Sequence, residues 1–246
     1  MDPSRTPRIV TTSWDDGDPK DLKIAELLRD RNLAGTFYVP IQGYKRSRSL
    51  GAGDIRALNS EGFEIGAHTV SHKSLNKLKA REVKYEVVTC KDMLEQLTGC
   101  RVRMFCYPNG RYDAEVIQHV KASGYLGART TRMLSLGAFL PFEMPTTVQA
   151  YPHGRSTYLR NLGRAQNFAG LWNYLRDLSG LNTWIAVGKY LFDQVVEHGG
   201  IWHLYGHSWE IDELGIWNEL RQMLDYVAHR KNVTYLTNGD LVARAN

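Results

Sequence analysis

Apolar positions along this chain follow two alternating rhythms. "RIVTTSW" (8–14) is a short apolar and β-branched run that reads as a buried strand, and "PKDLKIAELLRDRN" (19–32) carries apolar residues at helical spacing. The pair then repeats. "GTFYVP" (35–40), "FEIGAHT" (63–69), "RMFCYP" (103–108) and "YLGART" (125–130) read as strands. "GDIRALNSEG" (53–62), "REVKYEVVTCKDMLEQLTG" (81–99, stopped by Gly99) and "DAEVIQHVKASG" (113–124) read as the helices between them. "GIWHLYGH" (200–207) and "VTYL" (233–236) are the last predicted strands, with a helix between them at about 213–230. Such alternation predicts an α/β fold with parallel strands and helices outside. Seven or eight strands favour a barrel over an open sheet. Residues 131–198 break the rhythm: 139–154 is rich in proline and irregular, and about 157–198 is helical with many Trp and Tyr. Because "GIWHLYGH" resumes the strand pattern, this stretch is expected to elaborate one domain spanning 1–246.

Barrels of this kind place their chemistry at the C-terminal ends of the strands, and polar residues gather there. Asp15 and Asp16 follow the first strand, His68 ends the third, Tyr107 and Pro108 end the fourth, and His207 ends the late one. Two adjacent carboxylates repel each other unless a cation or a shared proton intervenes. A polar Asp-Gly turn is the alternative reading of "DDG". In "HTVSH", His68 and His72 stand four apart, which on a helical turn puts both rings on one face. Two neutral imidazoles and one carboxylate leave coordination positions open for water, the arrangement of catalytic zinc.

Composition narrows the setting. Hydrophobic residues make up 43% of the chain, enough for a full core without staples. No run is long enough to span a bilayer, and "MDPSRTPRIV" contains no apolar leader segment. Cys90, Cys100 and Cys106 form no CxxC pair and leave an odd thiol, which fits a reducing compartment. A soluble, cytoplasmic protein without a membrane partner is the expectation. The net charge of +5 and the basic loop "YKRSRS" (44–49) would attract an anionic polymer. A solvated loop is the simpler reading, and with no nucleic-acid module present no nucleic-acid partner is expected. Oligomeric state is not written in the sequence.

"SWDDG", "HTVSH", "MFCYPNG" and "WHLYGH" occur in an order and spacing that resembles the polysaccharide deacetylase family, the NodB-like carbohydrate esterase 4 group. The resemblance covers about residues 8–240. It implies a distorted (β/α) barrel that removes N- or O-acetyl groups from glycans such as chitin and peptidoglycan, with an acetylated carbohydrate as partner. It further implies Asp15 as general base and Asp16, His68 and His72 as ligands of one divalent metal. Zinc is the first choice, with Co2+, Ni2+ or Mn2+ as alternatives. A bound cation of this kind lowers the pKa of its water towards about 7. "YPNG" would place Tyr107 and Pro108 at the oxyanion through the Tyr107 N–H, and His207 would be the acid. His203, four residues earlier on the same strand, is its rival.

The chain also departs from the family. Cys106 occupies the slot of the arginine that orients the base, and "ARTTR" replaces an aspartate-rich motif after strand five. Arg129 is expected to supply the missing charge beside Asp15, with Arg103 as the alternative. What orients His207 is not legible. Among the aromatic residues Trp172, Tyr174, Trp184 and Trp209, the last is best placed to stack on a sugar. Two other functions stay open: hydrolysis of another amide, such as a small cyclic one, and glycan binding without turnover.

Overall fold

The computed structural model describes residues 6–44, 49–164, 168, 172 and 174–245. Residues 45–48, on which most of the basic-loop reading falls, lie outside the described residues. Eight parallel strands form one curled sheet: β1 (Arg8–Asp15), β2 (Thr36–Val39), β3 (Glu64–Ala67), β4 (Met104–Cys106), β5 (Gly127–Arg129), β6 (Val148–Gln149), β7 (Gly200–Gly206) and β8 (Thr234–Tyr235). The order is β5-β4-β3-β2-β1-β7-β6. β8 pairs with β1 at Ile9 and Val10, while β2 takes the register Ser13–Asp15 further along the same edge. β5 and β6 are the two ends of this order, and Met144 adds one residue to the β5 edge. The Met144 N–H donates to Ala128 O at 2.9 Å and its carbonyl accepts from the Thr130 N–H at 2.8 Å. The result is the distorted α/β barrel that the alternation predicts.

Helices α1 (Asp21–Arg29), α2 (Ala52–Ser60), α3 (Ala80–Thr98) and α4 (Ala114–Ala122) link the first five strands. Each lays its apolar stripe on the sheet: Ile24, Leu27 and Leu28 of α1 are buried, and so are Val83, Val87 and Leu94 of α3. Full burial of such a side chain contributes about 1.5–3 kcal/mol. Gly99 ends α3 in the left-handed region, at φ 68°, which glycine adopts without a Cβ penalty. The later helices are α5 (Arg155–Arg164), α6 (Trp184–His198), α7 (Ser208–Glu213), α8 (Trp217–Val227) and α9 (Asn238–Ala245). None among the described residues is long and apolar enough to cross a membrane.

β1 is buried on both faces because it separates two cores. Val10 and Trp14 join the large layer between sheet and helices. Ile9 belongs to a smaller cluster with Tyr38, Met104, Cys106, Met144, Leu236, Leu241 and Val242. In this cluster α9 plugs the N-terminal end of the barrel. The Gly239 N–H donates to Glu64 Oε2 at 2.8 Å, and a Cβ there would lie 2.0 Å from the Glu64 carboxylate. Arg103 pairs with Glu64 at 3.2 Å and Asp240 at 2.8 Å, which holds it at the end opposite Asp15.

Three expectations change. The helix expected at about 213–230 is α8, starting a few residues later, and an unexpected short helix, α7, precedes it, the two parted at Gly215, left-handed at φ 67°. β6 sits in the stretch expected to be irregular, since two residues carry no periodic signal. α9 was not expected at all. Of the aromatic residues in the elaboration, Tyr174 and Trp184 are buried and Trp172 is exposed.

Candidate active site

β1 ends in Asp15 and Asp16 side by side, and each carboxylate has its own surroundings. Asp15 is 3% exposed, and Nη2 of the fully buried Arg129 bonds both of its oxygens. The Arg129 guanidinium also lies 4.8 Å from the centre of the Tyr205 ring and 5.3 Å from that of Tyr38. Burial would raise the Asp15 pKa, but Arg129, with His68 and His207, holds it below the usual carboxylate range. Asp16 takes a left-handed backbone at φ 79°, one that aspartate tolerates better than most residues. Burial again acts upward on it, and His72, His207 and His68 hold it well down.

Three candidate ligand atoms converge beside Asp16. Its Oδ1 lies 3.1 Å from His72 Nε2 and 3.6 Å from His68 Nε2, and the two ring nitrogens are 3.1 Å apart. Asp16 Oδ2 accepts the Trp209 indole N–H at 2.9 Å, whereas the buried Oδ1 has no hydrogen-bond partner. An ionised, buried and unpartnered oxygen facing two imidazoles is costly unless a cation sits among them. The donor set of two nitrogens and one carboxylate oxygen fits a divalent transition metal. A second group, Asp15, His68 and Cys106, also converges. There, however, Asp15 is committed to Arg129 and His68 Nδ1 donates to Cys106 O at 2.9 Å. That same bond fixes the His68 tautomer and turns Nε2 toward Asp16. Burial and the adjacent His72 lower the His68 pKa to about 4, so the ring is neutral near pH 7.

The two histidines do not share a helical turn, as their spacing predicts. His68 follows β3 directly, and a loop with left-handed Thr69 (φ 69°) and His72 (φ 54°) brings the second ring back over the first. Glu86 of α3 holds that loop. Its carboxylate accepts the Val70 and Ser71 N–H groups, each at 2.8 Å, and the Ser71 hydroxyl. Thr69 Oγ1 accepts the His72 N–H at 2.9 Å.

His207 follows β7 and N-caps α7. Its Nε2 faces the aspartates, 3.9 Å from Asp15 Oδ2 and from Asp16 Oδ2. Its Nδ1 donates to Glu210 Oε2 at 2.6 Å. Burial would lower the pKa of this ring; Glu210, Asp16 and Asp15 together raise it to about 9. His203 is separated from this chemistry. It accepts from Ser13 Oγ at 2.8 Å, donates to Pro145 O at 3.1 Å, and burial drives its pKa down to about 3.

The cavity between these groups holds about 260 Å³. Tyr107 lines it, but its N–H donates to Arg129 O at 3.3 Å in the barrel wall, so the expected oxyanion contact through Tyr107 does not fit. Pro108 is buried, has no N–H and opens the short turn Pro108–Gly110. The Gly110 and Arg111 N–H groups are committed to carbonyls of the same turn. Asn109, left-handed at φ 57°, also lines the cavity, and its side-chain amide donates to Ser74 Oγ at 3.2 Å. Trp209 also lines the cavity, with its ring tilted 33° to that of Tyr44 and its N–H on Asp16. Glu86 and Glu210 are missing from the sequence reading. A Glu on the buried stripe of α3 signals the first, and "HSWE", a cap position with Glu three residues on, signals the second.

The family model described as polysaccharide deacetylase matches residues 2–128, more than half of the chain, and the chain belongs to that family. Among curated relatives, it is 22% identical over 132 residues to YxkH of Bacillus subtilis, provisionally assigned as a polysaccharide deacetylase; the match covers 53% of this chain and 47% of that one. It is 25% identical over 103 residues to the peptidoglycan-N-acetylglucosamine deacetylase of Bacillus cereus, covering 41% of this chain and 36% of that one. The matched stretches thus span less than half the length of either relative. A crystal structure from Mycobacterium smegmatis, also provisionally assigned as a polysaccharide deacetylase, superposes with a TM-score of 0.70 at 16% identity. It covers 99% of this chain and 92% of that one, a likeness of fold.

Proposed function

We propose that this chain is a metal-dependent deacetylase of N-acetylated sugars. The observation that carries the reading is the convergence of Asp16, His68 and His72 on one point, with Asp15 clamped beside them and His207 Nε2 3.9 Å away. When bound by Asp16, His68 and His72, a divalent cation supplies Lewis acidity at an acyl oxygen and acidifies a water. Asp15, ionised and fixed through both oxygens by Arg129, accepts the proton of the attacking water. His207 carries a proton on Nε2 near neutral pH and delivers it to the amine nitrogen as the C–N bond breaks, because an amide nitrogen leaves poorly without one. Acetate and a free amine result.

Acetate release from a panel of acetylated oligosaccharides, read with metal content before and after chelation, tests the reading. Release that is lost with the metal and regained on reloading supports it. Binding of a glycan without any release would assign the chain to glycan recognition. Hydrolysis confined to a small cyclic amide would assign it to the other amide reaction.

A further inference from the structure

We propose that Glu210, set in place by Gln149, is the positioning residue for His207. The geometric assignment stands on hydrogen bonds alone; its catalytic consequence rests on the deacetylase reading above. An ionised carboxylate can only accept, so Glu210 Oε2, 2.6 Å from His207 Nδ1, fixes the proton on Nδ1 and directs Nε2 into the cavity. No other hydrogen bond to this ring is observed among the described residues. Its aromatic neighbours, Trp209 at 5.6 Å and Tyr205 at 6.4 Å between ring centres, leave the ring's tautomer undetermined.

Glu210 is itself held. Its Oε2 accepts Gln149 Nε2–H at 3.2 Å. Turning the Gln149 amide over would set its Oε1 against the Glu210 carboxylate; as placed, Oε1 accepts from the Tyr205 hydroxyl and His153 Nε2–H, each at 2.7 Å. The carboxylate therefore has a defined place, set from β6, β7 and the loop after β6. The resemblance puts the orienting aspartate after strand five, where "ARTTR" stands; Glu210 instead follows His207 and reaches its ring from the opposite direction in sequence.

The start of α7, directly after His207, does not depend on the Glu210 carboxylate for its path. Ser208 Oγ–H donates to the buried Asp21 at 2.6 Å, and the Trp209 N–H donates to Asp16. Removing the Glu210 carboxylate should consequently free the ring without unfolding its surroundings, which separates positioning from mere structure.

The test uses the zinc-loaded protein and the variants Glu210→Gln, Glu210→Asp and Glu210→Ala. With an N-acetylated chitooligosaccharide, Glu210→Gln is expected to lower kcat by roughly 10²-fold, with KM changed less than about twofold. With an activated aryl acetate, whose leaving group needs no acid, the loss should be at least about tenfold smaller. Glu210→Asp should recover more of the amide rate than Glu210→Gln. Independently of turnover, ¹⁵N-labelled imidazole spectra of the zinc-loaded parent should show a hydrogen-bonded Nδ1 proton on His207 that disappears in Glu210→Ala. Persistence of that proton in Glu210→Ala, or equal losses on amide and ester, would overturn the assignment. A parent protein that deacetylates nothing would defeat the functional reading, and the spectra would still decide the role of Glu210.

Discussion

Residues 2–128 and residues 129–245 deliver side chains to one cavity by different means. The first stretch, which the family model matches, contributes Asp15, Asp16, His68 and His72 from the ends of regular strands. The second begins at Arg129 and contributes that arginine, the His207–Glu210 pair and the Gln149 that steadies it. In the first, neighbouring groups share one helix–strand unit, as Glu86 of α3 does with the His68–His72 loop that precedes it. In the second, Arg129 meets Asp15 114 positions away and Gln149 meets Glu210 61 positions away, while His207 and Glu210 stand only three apart. Local support thus orients single histidines, whereas the site as a whole, with Asp16 after β1 beside His68 after β3, depends on the sheet bringing distant strands together.

The comparison is broken most severely by removing a ligand. His72→Ala should strip the cation and reduce acetate release by at least roughly 10³-fold, as several kcal/mol of charge stabilisation disappear. Metal content measured with the rate checks it, and full retention of metal would remove His72 from the ligand set. The second region is probed by Arg129→Met, which leaves the Asp15 carboxylate buried without its partner and should destabilise folding by roughly 3–5 kcal/mol. Adding Asp15→Asn should restore part of that loss in a denaturant titration; simple addition of the two effects would show that the pair is not coupled.

Glu86→Ala tests whether the local support matters in its own right. It should weaken zinc affinity roughly 10- to 100-fold, the scale for residues that orient ligands. The kcat at saturating zinc should stay near that of the parent, and competition with a chelator gives the affinity. The smallest effect belongs to His203. Its folded pKa of about 3 lies below the unfolded value near 6.5, so the unfolded chain binds the extra proton first. Stability from this ring is complete above pH 6.5 and is lost progressively as pH falls toward 3, so its removal changes little near neutral pH. His203→Asn should flatten that part of the stability–pH curve, and an unchanged slope would place the burden on other groups.

The strand–helix alternation and the ends of β1, β3 and β7 were legible because hydrophobic periodicity and motif residues lie close together in the chain. Glu86 looked like part of an ordinary helix, since its partners are backbone N–H groups that carry no residue identity. The expected Tyr107 contact was lost to the parallel pairing of β4 with β5, which claims that N–H and depends on register. Arg129 could be named from charge alone. Glu210, three residues from His207, is not legible from the resemblance, which points to an aspartate after strand five.

The plug at the N-terminal end of the barrel sets an order on the making of this protein. Ile9 is among the first described residues and Leu241 and Val242 are among the last, yet they fill the same interior. During synthesis the ribosome releases β1 through β5 long before the side chains that complete their inner surface. Those strands must therefore wait with Ile9, Tyr38 and Met104 incompletely covered, an interval in which exposed strand edges invite association with other chains. α9 covers that interior only after the strands it seals have been made, and Gly239, seated on Glu64, marks where it locks.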